Sequence, residues 1–330
     1  MRLLVLGGSG FVGGATVIEA LHRGWSVTTF NRGLHGSTPD GVRHVPGDRL
    51  ADDGLAALAG GEWDLVLDTW DGRPRAVLDA ARALVGSVKH YIYVSSRSVY
   101  RTPVPLGADE DAPAVDADPD ALDGDYAQLK AGSERAALAV FGDRALIARA
   151  GLIIGPREDI GRLPWWLRRT ALGGDVLAPG PADAPLQYID VRDMIGWLLD
   201  CGRDGVGGTF NVVSRVGHAT MADLLEACVT VTGSRATLRW RDPAPILAAG
   251  VQPWTELPIW LPPDHEARWL VDGDVSRAYA AGLTCRPVTE TVADTWRWLS
   301  AVGEAPLRAG RPSRGSVGLD PAREAALLAG

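Results

Sequence analysis

Tyr126 and Lys130 stand four residues apart in Tyr126-Ala127-Gln128-Leu129-Lys130. On a helix that spacing puts both side chains on one face. A phenol of ordinary pKa near 10 is a weak acid–base catalyst at neutral pH. An ammonium beside it favours the phenolate and makes proton exchange with a substrate feasible. Lys130 is also one of only two lysines, with Lys89, in a chain that otherwise uses arginine. Upstream, Tyr93-Val94-Ser95-Ser96-Arg97-Ser98-Val99-Tyr100 ends an apolar run in hydroxyl residues. A hydroxyl at the carboxyl end of a parallel strand is placed to hydrogen-bond a substrate oxygen.

A second constellation opens the chain. Gly7-Gly8-Ser9-Gly10-Phe11-Val12-Gly13 follows an apolar run and satisfies G-x-G-x-x-G through Gly8, Gly10 and Gly13. Between a strand and a helix, such glycines let a pyrophosphate approach the backbone and meet the free N–H groups of the helix start. The end of the next strand reads Asn31-Arg32-Gly33. An acidic residue there would accept from the ribose 2′-hydroxyl of NAD, whereas Arg32 offers a planar fork suited to a 2′-phosphate. NADP(H) is therefore the preferred cofactor and NAD(H) the alternative. Asp48, and then Asp68 with Thr69, end the following two strands and join Asn31 in the expected cofactor set.

These residues need a scaffold. Arg2–Leu6, Ser26–Phe30, Val42–Val45, Leu65–Asp68, Tyr91–Ser95 and Ala145–Ile154 read as strands. Phe11–His22, Ala76–Leu84 and Tyr126–Val140 read as helices between them. Alternation of this kind predicts βαβ units and an α/β fold: a Rossmann doubly wound parallel sheet with a smaller, discontinuous C-terminal substrate lobe. The expected division is a dinucleotide-binding domain over 1–155, its sheet completed by about 190–215 through Phe210–Val213. A substrate lobe over 156–189 and 216–302 follows, then a tail over 303–330. Gly303–Gly315 reads as a Gly/Pro/Arg linker, and Asp320-Pro321 as the start of a short helix.

The totals narrow the function classes. The chain has 330 residues, is 46% hydrophobic, and carries a net charge of −8, so a sequence-wide grip on nucleic acid is not expected. Three scattered cysteines, Cys201, Cys228 and Cys285, suggest neither a disulfide framework nor a zinc site. Without a long apolar run or signal-peptide pattern, a cytoplasmic protein with no membrane partner is expected.

In this order, the motifs resemble the short-chain dehydrogenase/reductases in their extended, epimerase/dehydratase-like form, over roughly residues 1–300. The likeness rests on Gly7–Gly13, Ser95–Tyr100, Tyr126–Lys130, Arg149 to Gly155-Pro156, and Ile189-Asp190-Val191-Arg192-Asp193. It implies that Ser96, three residues before the valine of S-x-x-V-Y, is the catalytic hydroxyl. It further implies that Tyr126 is the proton carrier and that Lys130 holds the nicotinamide ribose. Phe30-Asn31-Arg32-Gly33 further resembles an atypical subgroup that includes chloroplast stem-loop RNA-binding proteins and reductases. Nucleotide-sugar epimerases often carry an arginine where this chain has Leu186, and an asparagine where it has Leu152. No asparagine lies between Asn31 and Asn211, although many family members have one after the fourth strand.

The resulting expectation is an NADP(H)-dependent oxidoreductase acting on a carbonyl or secondary alcohol of a small molecule. The alternatives are an epimerase or dehydratase with a tightly held cofactor, and a non-catalytic, cofactor-regulated RNA-binding protein. The family implies a homodimer through the helices Ala76–Leu84 and Tyr126–Val140. Trp165, Trp166, Arg168 and Arg169 are candidate substrate contacts, Trp254, Trp260 and Trp269 a candidate lid, and Asp109–Asp125 a solvated acidic loop.

Overall fold

The structure, a computed structural model, describes residues 1–34, 39–303 and 317–329. The chain forms two compact units, each assembled from separate stretches.

The first unit comprises Met1–Gly151, Val191–Val213 and Asp274–Thr284. Its strands are β1 (Arg2–Leu6), β2 (Ser26–Asn31), β3 (Val42–Pro46), β4 (Trp63–Asp68), β5 (Val88–Ser96), β6 (Ala145–Ala150) and Gly208–Val212. All pair in parallel, in the order Gly208–Val212, β6, β5, β4, β1, β2, β3. This is the doubly wound sheet that the alternating pattern predicts. Leu3, Leu4 and Val5 of β1 and Leu65, Val66 and Leu67 of β4 are fully buried, as expected of strands covered on both faces.

Helices α1 (Phe11–His22), α2 (Pro74–Leu84) and α3 (Tyr126–Phe141) join them. Proline opens α2 at a position where its missing N–H costs nothing. At the start of α3, Asp125 accepts from the Gln128 amide at 2.9 Å while the Gln128 side chain accepts from the Asp125 amide at 3.1 Å, a reciprocal cap that fixes where the helix begins. The strand order reverses between β1 and β4, and in such sheets the crevice for a ligand lies at the carboxyl ends of the strands beside that reversal.

Two readings of this unit change. The single strand expected over Ala145–Ile154 is broken at Gly151, where β6 has ended and Leu152–Ile154 begins a pairing in the second unit. A Cβ at Gly151 would lie 2.6 Å from the Val213 side chain, so only glycine passes there. The acidic stretch is not uniformly solvated either: Glu110 is buried and accepts from the Asn211 amide at 2.6 Å.

The second unit comprises Leu152–Asp190, Ser214–Gly273 and Cys285–Gly330. Short strand pairs, Gly174–Pro179 with Ala236–Arg241 among them, surround α4 (Arg162–Ala171) and the helices Met221–Thr232 and Val288–Val302. Tryptophans supply much of its core. Trp166 and Trp260 are fully buried, and their indole N–H groups donate to the carbonyls of Pro258 (2.8 Å) and Gly180 (2.9 Å). Trp260 and Trp269 are therefore packed interior rather than lid, and Trp254 packs against the same core.

The helix Pro321–Ala329 starts at Asp320, whose carboxylate accepts from the amides of Ala322 and Arg323 at 2.9 and 3.2 Å. It is tied down by Glu324, which takes Arg169 at 2.6 Å and the Leu177 amide at 3.0 Å. The expected linker over Gly303–Gly315 lies, past Gly303, outside the described residues. Among the described residues, no helix is long and apolar enough to cross a membrane.

Candidate active site

The carboxyl ends of β1 and β4 carry the glycine turn and Thr69. Gly7 and Gly8 have φ of 124° and 98°, a region other residues rarely enter. A Cβ on Gly13 would lie 2.6 Å from the Gly8 nitrogen, so α1 and the turn approach as only two glycines can. Gly10 caps α1 without a side-chain acceptor, and the first turn of α1 has no acidic residue. The amides of Phe11, Val12 and Gly13 thus remain the helix's own donors to an anion. Ser9 is exposed beside them, while the Phe11 ring is buried and offers only its backbone. The cradle fits a dinucleotide pyrophosphate. Thr69 borders it, its hydroxyl donating to the Leu6 carbonyl at 3.3 Å.

Asn31 holds the end of β2 against this turn. Its amide donates to the Gly7 carbonyl at 2.7 Å and its oxygen accepts from the Gly33 amide at 2.8 Å. Arg32 follows, exposed. Asp48 folds back on its own turn, accepting from the Leu50 amide at 3.0 Å.

Asp68 differs from its sequence reading. Its carboxylate is fully buried and accepts from Arg49 at 2.8 and 2.9 Å, from the Tyr91 hydroxyl at 2.6 Å and from the Trp70 amide at 2.9 Å. Burial alone would raise its pKa. The Arg49 charge and these hydrogen bonds overcome that and hold the carboxyl below the usual range. Both oxygens of the Asp68 carboxylate are thus engaged by protein donors. In the sequence its partner Arg49 was visible only as the neighbour of Asp48.

Ser96 ends β5 and caps the short turn Arg97–Val99. Its Oγ accepts from the Ser98 amide and lies 3.1 Å from the Ser98 hydroxyl. Tyr126 is the first residue of α3 and is half-buried. Lys130, one turn on, is only 4% exposed. Its ammonium donates to the carbonyls of Trp70 (2.8 Å) and Val94 (2.7 Å) and sits 4.8 Å from the centre of the Tyr93 ring. Tyr93 in turn donates to the Trp70 carbonyl at 2.9 Å. Two strand-end carbonyls and an aromatic face thus aim a lysine that no asparagine assists. Ser96, Tyr126, Lys130 and the glycine turn all belong to the first unit.

The four candidate substrate contacts of the second unit all make contacts within that unit. Trp166 is fully buried and Trp165 packs on it edge-to-face at 4.6 Å. Arg168 donates to the Gly303 carbonyl at 2.9 Å. Arg169 is committed to Glu324 and to the carbonyls of Gly173 and Asp175. The sequence showed aromatic and cationic residues in a row; on α4 they serve the inside and the C-terminal helix.

Residues 55–212 match the model of the NAD dependent epimerase/dehydratase family. The match covers 158 of the 330 residues, a little under half of the chain. The matched segment contains Ser96, Tyr126 and Lys130, while the glycine turn precedes it. No curated protein matches the chain in sequence.

Among solved structures, UDP-glucose 4-epimerase from Thermotoga maritima, with UDP-glucose, aligns at TM-score 0.68 and 17% identity over 92% of this chain and 100% of that one. The Bordetella bronchiseptica enzyme WbmG, in complex with NAD and UDP, aligns at 0.67 and 17% over 93% and 97%. UDP-glucuronic acid 4-epimerase from Bacillus cereus, in complex with NAD, aligns at 0.64 and 16% over 92% and 100%. At these identities the likeness shows a shared fold and nothing more.

Proposed function

We propose that this protein is an NADP(H)-dependent oxidoreductase that interconverts a carbonyl and a secondary alcohol on a small molecule. The observation that carries the reading is Lys130, a buried ammonium held by two carbonyls one helical turn from Tyr126 on α3. Burying such a charge is costly and is repaid where it acts on a neighbour.

The bound nicotinamide would supply or accept hydride at the substrate carbon. Tyr126 donates the proton to the carbonyl oxygen during reduction, or removes it from the alcohol during oxidation. Ser96 hydrogen-bonds the same oxygen. Lys130 holds the cofactor ribose one helical turn from Tyr126. Gly7–Gly13 would receive the pyrophosphate, and Arg32, next to Asn31, would pair with the 2′-phosphate; Thr69 borders the glycine turn.

The family match favours a second reading, in which hydride is returned to the substrate and the net result is epimerisation or dehydration. The structural neighbours named for UDP-sugars point the same way. Against a nucleotide-sugar substrate stand Leu186 and Leu152, which are buried apolar residues of the second unit's core where such enzymes often carry polar contacts. Incubation with NADPH and a panel of aldehydes and ketones tests the first reading. Substrate-dependent loss of NADPH supports it. Isomerised or dehydrated product without net NADPH loss replaces it with the second.

A further inference from the structure

Two contacts one helical turn apart fasten α3 to the last residues of β5. Lys130 takes the Val94 carbonyl, and Glu134 takes the hydroxyl of the next residue, Ser95. Ser96 comes immediately after. Tyr126, Lys130 and Glu134 form one stripe of α3 at successive spacings of four.

Behind Glu134 stands Arg149, the register partner of Ser95 on β6. Its Nε and Nη2 donate to the Glu134 carboxylate at 2.9–3.2 Å, and its Nη1 donates to the Glu110 carbonyl at 3.0 Å. The guanidinium covers the Tyr100 ring at 4.9 Å, and the Tyr100 hydroxyl donates to Asn211 at 2.7 Å. Ser95, Glu134 and Arg149 are all buried.

An ion pair in such a place is a poor stabilising device, because apolar residues of similar volume usually do as well. In some proteins such a buried polar group serves instead to fix one register over others. The register fixed here is that of the strand bearing Ser96 against the helix bearing Tyr126. We propose that Ser95, Glu134 and Arg149 are positioning residues that set these two groups relative to each other, without touching the reacting atoms. This inference rests on the functional reading above.

Ser95→Ala tests it most cleanly, since the Glu134–Arg149 pair survives. The probes are benzaldehyde with NADPH, read as NADPH loss, and UDP-glucose, read as epimerised sugar. The expected result is a kcat lower by about 10–100-fold, the cost of a small misplacement, with an unchanged KM for NADPH. Ser95→Thr, which keeps the hydroxyl, should restore the rate. Ser95→Ala at the parent rate, or a loss that threonine does not repair, overturns the proposal. Hydrogen exchange over residues 94–100 and 126–131 decides the matter should neither probe turn over. Faster exchange in both segments of Ser95→Ala supports the coupling, and unchanged exchange overturns it. An inactive Tyr126→Phe beside a fully active Ser95→Ala removes only the positioning role. Tyr126→Phe at the parent rate removes the functional reading itself.

Discussion

Arg49 grips Asp68 through two parallel hydrogen bonds of 2.8 and 2.9 Å, at a point where the carboxylate is wholly out of water. Arg49 also donates to the Ala76 carbonyl at 2.9 Å, which links the end of β4 to α2. Breaking one side of a buried pair strands the other charge. Asp68→Asn should therefore cost about 3–5 kcal/mol in unfolding free energy. Urea titration measures this, and isothermal titration of the folded variant should find NADPH affinity near the parent's. A large loss of affinity with little loss of stability would restore Asp68 to the cofactor site.

Arg32 leads to a prediction about cofactor choice. NADP(H) should bind more tightly than NAD(H), and Arg32→Ala should weaken NADP(H) by about 10–100-fold, the range for losing a hydrogen bond to a charged group. NAD(H) affinity should hardly move. Equal affinities for the two cofactors in the parent protein, measured by isothermal titration, would refute the assignment.

The proton carrier is tested by deleting one oxygen. Tyr126→Phe should fold and bind cofactor, with turnover reduced by about 10²–10⁴-fold. Lys130→Arg should not match the parent, because a planar guanidinium cannot take the place of a compact ammonium between the Trp70 and Val94 carbonyls. Steady-state rates at saturating NADPH check both.

In the second unit, Glu158 accepts from the amides of Arg162 and Leu163 at 2.7 and 3.2 Å and so caps α4. Burial pushes its carboxyl from 4.5 up to about 7, against the opposing pull of Arg162 and of those amides. Between those two values the unfolded chain gives up its proton while the folded protein keeps it. Stability contributed by Glu158 therefore declines as pH rises through this window and levels off above it. In Glu158→Gln that slope disappears. Urea titrations of both proteins from about pH 5 to pH 8 should show the variant gaining on the parent as pH rises. A constant difference across the range would contradict this.

What the sequence made legible was local. The glycine turn and the order of strands and helices up to β6 depend on neighbours within a few residues, and α/β alternation follows from them. The tyrosine and lysine of α3 share a face for the same reason. Pairings across many residues were invisible: Arg49 with Asp68, Lys130 with Trp70, Glu110 with Asn211. Each needs the sheet to bring its partners together. Glu134 could have been found, since it extends the Tyr126–Lys130 stripe by another turn, and a carboxylate on a buried stripe demands a cation. Trp165 and Trp166 left two readings open, core filling and substrate contact, because an aromatic pair reads alike on a pocket wall and in a core. Helical phase alone does not distinguish the two when the second unit's other faces are unknown.

The scattered make-up of both units also bears on how the chain can be made. The β6 edge stays unpaired until Gly208–Val212 has been synthesised, and Asn211 must wait longer for the Asp274 carbonyl that its amide donates to at 2.9 Å. Arg169 has no carboxylate until Glu324 is translated. Neither unit can close while its early parts alone have left the ribosome. The growing chain must therefore carry an open β6 edge and an uncapped tryptophan-rich cluster through much of its synthesis, the period in which nascent-chain chaperones act on such surfaces.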